Sequence, residues 1–345
     1  MINLFHPFIS EESKRSVQHV LDGKNIAQGV LVDSLETEWE WKYGTKYNVA
    51  VNSGTSALHL AYILAGIQED DEVITPVLTC TATNIPLLYL KAKPVFADID
   101  PTSLTIDPKD VEAKITKKTK AIVFVHFGGN NKNLAEIMLL ANKYNLKVIE
   151  DAAQAIIPQK FGLADYTCVS FQAIKTLTAG DGGMLIVKNN ADYEKAKRLR
   201  WFGIDRPRKQ VEGDVDVWEI GYKYHMNDIS AAILLGNLHE VDELIAHRKM
   251  ILDGYSKGIP IIPNTIWLAI TFVKNSKETS EKLLKLGVET GMHHYRNDKY
   301  SIFKKFAGYY PNMDSVDNKY LLLPLHSKVE KEDVHKICEK LRQVQ

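Results

Sequence analysis

Three short stretches bring together residues whose types and spacing could do chemistry. In NSGTSALHL (52–60), Gly54, Thr55 and Ser56 stand immediately before a run with helical apolar spacing. The free N–H groups and the dipole at such a helix start attract anions, phosphate above all, and the hydroxyls add donors. A serine or threonine there also serves as a plain helix cap with no ligand. In VIEDAAQA (148–155), Asp151 closes an apolar run and Gln154 follows it at a spacing that could reach the same ligand. A buried carboxylate is costly unless a cation or several donors meet it, so Asp151 is either half of a structural ion pair or part of a binding site. In SFQAIKTLTAGDGGML (170–185), Ser170 ends another apolar run and Lys175 stands in the connection to the next. A lysine in a connection is ordinarily just solvated. An amine, a carboxylate and a phosphate cradle are together what pyridoxal phosphate needs. The amine forms a Schiff base and later moves protons, the carboxylate keeps the pyridine nitrogen protonated, and the helix start holds the phosphate.

Elements that could position these groups are visible around them. The apolar runs 72–75, 94–99, 121–126, 147–151, 166–171 and 184–188 read as buried strands. The stretches 55–66, 107–115 and 133–144 carry apolar residues at helical spacing. This alternation predicts an α/β fold, a mainly parallel sheet with helices on both faces, whose ligands bind at the carboxyl ends of the strands. A long helical stretch follows over 226–252, and then short strands (266–273, 320–325) mix with helices (277–287, 331–343). We expect an N-terminal arm and large domain over 1–240 and a smaller α+β domain over 241–345.

The chain has 345 residues, 45% hydrophobic and 25% charged, which is ordinary for a globular protein. Lys+Arg and Asp+Glu both number 43, so nothing favours nucleic acid or an anionic membrane as a partner. Cys80, Cys168 and Cys338 lie far apart without metal-type spacing, and no metal is expected. The first ten residues lack a signal-peptide pattern and no apolar run reaches about 18 residues, so a cytoplasmic protein is expected.

Taken in order, SGTSALHLA, DEVITP, PVFADID, IEDAAQA, SFQAIKTLTAGDGGML, GYKYHMNDISAA and LLLPLH resemble the motifs of the DegT/DnrJ/EryC1/StrS sugar-nucleotide aminotransferases. The resemblance runs over nearly the whole chain and implies a fold-type I pyridoxal-phosphate transferase with a seven-stranded sheet. It implies Lys175 as the lysine that binds the cofactor, Asp151 as the pyridinium partner and Gln154 beside the 3-hydroxyl. It assigns Thr55, Ser56 and Ser170 to the phosphate, with Gly54 allowing close approach. It further implies a homodimer in which 221–228 of one subunit reaches the other's site. An amino acid, L-glutamate by resemblance, would leave as 2-oxoglutarate, and a nucleotide-linked keto-deoxy sugar would receive the nitrogen. SFQAIK and VHFGG look most like members that aminate C4, of the perosamine and viosamine type; C3 amination or a catalytically silent homologue are the alternatives.

The sequence departs from the family at several of these places. Cys80 stands where many members stack an aromatic residue on the cofactor, and it reads equally as a small buried hydrophobe. Lys223 and His225 stand where many members have Asn and Arg, and either could supply a cation to the phosphate. Thr176 follows the lysine where relatives often carry histidine. The cluster His293, His294, Tyr295 and Arg296 lies where members place substrate contacts, with a solvated basic loop as the alternative. His126 and Phe127 follow a strand end and read more simply as packing residues.

Overall fold

The computed structural model describes residues 1–156, 161–292 and 294–345. Nine strands occur among them: β1 (Tyr47–Val51), β2 (Glu72–Pro76), β3 (Lys93–Ala97), β4 (Thr119–Val125), β5 (Lys147–Asp151), β6 (Tyr166–Ser170), β7 (Gly183–Val187), β8 (Ala269–Phe272) and β9 (Tyr320–Leu323). The six expected apolar runs of the first half all become strands. β1 is an addition, because Asn48 interrupts its apolar pattern. Asn48 is nonetheless buried, its amide accepting from the Thr45 hydroxyl at 2.7 Å and donating to the Thr45 carbonyl at 2.6 Å.

The first seven strands form one sheet in the order β1-β7-β6-β5-β4-β2-β3. β7 runs antiparallel to both β1 and β6, and every other pair is parallel. Both faces are covered, as near-continuous apolar strands require. Val49 and Val51 pack with Leu58, Leu60 and Tyr62 of the helix Gly54–Leu64 on one side. Ala50 and Met184 pack with Trp39 and Leu234 of the helices Val30–Tyr43 and Asp228–His239 on the other.

The helical run expected over 226–252 divides into Asp228–His239 and Val241–Gly258, because Glu240 leaves helical geometry at ψ 8°. β8 and β9 pair antiparallel in a separate sheet, backed by Val241–Gly258 and Lys331–Val344. The first residues of the chain dock on this part: Ile2 bridges to Val288, and the Leu4 N–H donates to Glu289 Oε2 at 2.9 Å. Among the described residues no helix is long and apolar enough to cross a membrane.

Register decides where the site falls. Val125 pairs with Asp151 and Asp151 with Cys168, while Ser170 and Val51 both pair with Gly183. The carboxyl ends of β1, β5 and β6 therefore share one edge of the sheet, and the three chemistry-bearing stretches all leave from it.

Candidate active site

The helix Gly54–Leu64 begins at the end of β1 with Ser53 as its cap, whose Oγ accepts from the Ser56 N–H at 3.0 Å. The buried Ser56 hydroxyl donates to Asn52 Oδ1 at 2.6 Å and lies 2.8 Å from Ser53 Oγ. Ser56 thus spends both its N–H and its hydroxyl within the turn. The N–H groups of Gly54 and Thr55 have no acceptor among the described residues, so the anion-binding capacity of the helix start rests on them. Ser170 closes the cradle from β6. A Cβ at Gly54 would stand 2.8 Å from Ser170 Cβ and 3.2 Å from its Oγ, so only glycine allows this approach.

Asp151 ends β5 with 3% exposure. Its Oδ2 accepts from the Thr83 hydroxyl at 2.7 Å and its Oδ1 from the Ala153 N–H at 3.1 Å. No lysine or arginine pairs with it among the described ion pairs, so the structural-bridge alternative falls away. Lys175 follows β6 in a turn closed by its own N–H donating to the Gln172 carbonyl at 2.9 Å. Its Nζ lies 4.3 Å from the centre of the Trp267 ring. Burial pushes its ammonium below the ordinary lysine range, while the charge of Asp151 and then Cys80 pull it back up. A lysine in this setting gives up its proton more easily than a free one, as a nucleophilic or proton-carrying amine must. It is not the solvated loop residue that its position alone suggested.

Gln154 completes the wall. Its Oε1 accepts from the Gly128 N–H at 2.7 Å, which leaves its Nε2 to donate to His294 Nε2 at 3.0 Å. His294 therefore carries its proton on Nδ1. The Gly128 carbonyl also receives the N–H groups of Ile266 at 2.7 Å and Trp267 at 3.0 Å. Gly129 adopts φ +93°, and a Cβ there would meet Ile266 Cγ2 at 2.6 Å and the Gln154 carbonyl at 2.9 Å. The glycine pair of VHFGG is thus the junction that joins Gln154 to the segment carrying Trp267, the ring beside Lys175.

Other expected residues fall in different settings. Cys80 is half-buried and precedes the helix Thr81–Tyr89, close enough for its field to reach Lys175. Arg296 is buried with its guanidinium on both oxygens of Asp298, at 2.8 and 2.9 Å, and on Asp314. That cation is neutralised by its own neighbours. Tyr295 is exposed, His294 is buried against Gln154, and His293 lies outside the described residues. His126 sits on Glu150 at 2.9 Å, as a packing residue does.

The loop with Lys223 and His225 lies beside the cradle of its own chain. The Asn52 N–H donates to the Tyr224 carbonyl at 2.7 Å and its side chain to the Lys223 carbonyl at 3.1 Å. The Lys223 side chain is exposed. His225 packs on Trp201 with ring centres 3.9 Å apart. Burial, with Lys223, Arg200 and Arg206 nearby, pushes its imidazole down to about 4, so it is neutral at pH 7. Of the two, Lys223 alone offers a cation.

Trp267 and Thr83 were not singled out as site residues from sequence. Trp267 is held by its indole N–H on the Ile174 carbonyl at 3.0 Å, 93 residues away in sequence. Thr83 is linked to Asp151 across 68 residues. The one local signal was the unexplained hydroxyl run of TCTATN after β2.

Two unspent N–H groups at a helix start, a buried carboxylate without a cation, and a half-buried amine fit pyridoxal phosphate. On the carboxyl edge of a mostly parallel sheet they define the fold-type I class of pyridoxal-phosphate enzymes. The chain belongs to the DegT/DnrJ/EryC1/StrS aminotransferase family, whose model matches residues 7–342. It is an aminotransferase with pyridoxal phosphate as cofactor. Among its relatives is GDP-perosamine synthase of Escherichia coli O157:H7, 30% identical over 99% of this chain and 98% of that protein. AtS13 of Actinomadura melliaura has a crystal structure with TM-score 0.93 and 31% identity, covering 99% of this chain and 98% of that one. The pyridoxal-phosphate form of a sugar aminotransferase assigned to Spr1654 of Streptococcus pneumoniae has TM-score 0.93 and 26% identity, covering 99% and 98%.

Proposed function

We propose that this enzyme moves the amino group of L-glutamate to C4 of a nucleotide-linked 4-keto-6-deoxy hexose, releasing 2-oxoglutarate and a nucleotide-linked amino sugar. The observation that carries the reading is Lys175, a half-buried amine 4.3 Å from the Trp267 ring and in the field of the buried Asp151 carboxylate, on the carboxyl edge of the sheet. The likeness to GDP-perosamine synthase supports the sugar and the C4 position.

Bound pyridoxal phosphate supplies an electron sink for the pair left when the donor's α-proton departs. The chain's residues do the rest. Thr55, Ser170 and the N–H groups of Gly54 and Thr55 would hold the phosphate. Asp151 would hold a proton on the ring nitrogen, and the remaining amide proton of Gln154 would meet the ring oxygen. Lys175 Nζ takes the proton from the α-carbon of glutamate and, in the second half-reaction, delivers one to the sugar carbon that gains nitrogen. Ping-pong kinetics follow, because glutamate's product leaves before the sugar enters.

We also propose a homodimer in which Lys223 of one subunit approaches the phosphate held by the other. The exposed side chain of Lys223, free to reach beyond its own chain, supports this. Production of 2-oxoglutarate with each of a panel of 3-keto and 4-keto sugar nucleotides tests the substrate. Turnover confined to 4-keto substrates is expected. Turnover confined to 3-keto substrates would move the site of amination to C3, and a bleached visible band with no turnover would overturn the sugar assignment.

A further inference from the structure

We propose that Thr83 is a positioning residue for Asp151, the last link of a one-way hydroxyl chain, Thr79 to Thr83 to Asp151, that keeps this carboxylate ionised and fixes its orientation. A carboxylate only accepts, so the single proton of Thr83 is committed to Asp151 Oδ2 at 2.7 Å. The 2.8 Å contact between the Thr79 and Thr83 hydroxyls must then use the proton of Thr79. Thr83 is fully buried and Thr79 is 1% exposed, so neither hydroxyl has water to turn to. The chain is also held in place from outside. The Tyr62 hydroxyl donates to the Thr83 carbonyl at 2.7 Å, and Asn297 Nδ2 donates to the Thr79 carbonyl at 2.7 Å.

Energetics give the chain a purpose. An ionised carboxylate at this depth pays a large desolvation cost, and hydrogen bonds to a charged group are about twice as strong as neutral ones. Asp151 has two such donors, Thr83 and the Ala153 N–H, one on each oxygen. The other titratable groups that face it are Lys175 from the turn after β6, Tyr62 from the helix Gly54–Leu64 and Cys168 from β6. Burial, with the charge of Asp151, pushes Tyr62 and Cys168 far up, so both stay neutral. Two acid limbs then remain for a phosphate-bearing ligand, that of Asp151 and that of the ligand's own phosphate, which loses charge at about pH 6; only the first depends on the carboxylate.

The inference rests on the assignment of Asp151 to the ring nitrogen, but its test needs neither glutamate nor sugar. Pyridoxamine phosphate is the probe, because it cannot react with Lys175. Its dissociation constant is measured from pH 8 to 5 with the full chain, stripped of cofactor, for wild type, Thr83→Val, Thr83→Ser and Asp151→Asn. Thr83→Val is expected to weaken binding about tenfold and to move the acid midpoint up by about one pH unit. Thr83→Ser should restore both, and Asp151→Asn should bind weakly and keep only the acid limb of the probe's phosphate, which serves as the baseline for the other profiles. A Thr83→Val profile weakened by the same factor at every pH, or a Thr83→Ser profile no better than Thr83→Val, would overturn the proposal. Failure of the transamination reading would leave these profiles unchanged.

Discussion

The carboxyl edge around Asp151 and Lys175 contrasts with the segment 202–225, whose last three residues lie beside the same cradle. At the edge the supporting side chains are tied down: Asp151 on Thr83 and Ala153, Gln154 on Gly128 and His294, Ser56 on Asn52. In 202–225, apolar side chains face outward, among them Trp218 at 55%, Ile220 at 83% and Val211 at 88% exposure. Asp151, Lys175 and Gln154 come together within one chain, whereas the exposed apolar segment is the surface that the proposed dimer would cover. Chemistry needs groups held to fractions of an ångström, so it is built on strand ends. The loop needs only complementarity.

Breaking the first region should have the largest effects. Lys175→Ala should abolish transamination of any sugar nucleotide and covalent capture of cofactor, checked by 2-oxoglutarate production and by the visible band. Asp151→Asn should come next, losing most turnover. It should also lower the pH at which Lys175 in the cofactor-free chain is acylated, by about one unit, because a charge that favours the ammonium is gone. Peptide mapping of the acylated lysine reads this shift, and an unchanged midpoint would remove the coupling between the two groups.

Gly54→Ala places a Cβ against Ser170 and should cost about 1–3 kcal/mol of stability. It should weaken cofactor binding more than that of a control change remote from the cradle. In the second region, Trp218→Ser with Ile220→Ser should leave the circular dichroism spectrum intact and shift sedimentation toward the monomer. A variant that still sediments as wild type would take the dimer contact away from this segment.

A pH dependence, felt only on acidification, completes the set. Burial pushes His59 down to about 4, and His225 is likewise near 4. Unfolded histidine protonates near 6.5. The unfolded chain therefore binds more protons between these values, and stability falls as pH drops from about 6.5 through 4. Replacing His59 with Gln should flatten that slope in urea titrations.

Legibility in the sequence followed locality. Asp151, Ser170 and Lys175 were visible because each ends or follows an apolar run, and the parallel pattern implies that such ends share an edge. β1 was hidden by Asn48, whose polar side chain is satisfied by Thr45 and by the Glu36 carbonyl once the chain is folded. The commitments of side chains were not legible at all. Nothing in HHYRND says that Arg296 is spent on Asp298 and Asp314, or that His294 serves Gln154. Trp267 beneath Lys175 depends on the turn at Gly128, far from both in sequence.

The central claim is that Lys175 carries the cofactor, and borohydride reduction followed by mass spectrometry of the peptides tests it most directly. The account predicts a pyridoxyl group on Lys175 alone, which disappears when the protein is first incubated with glutamate. A pyridoxyl group on another lysine, or on none, would contradict it.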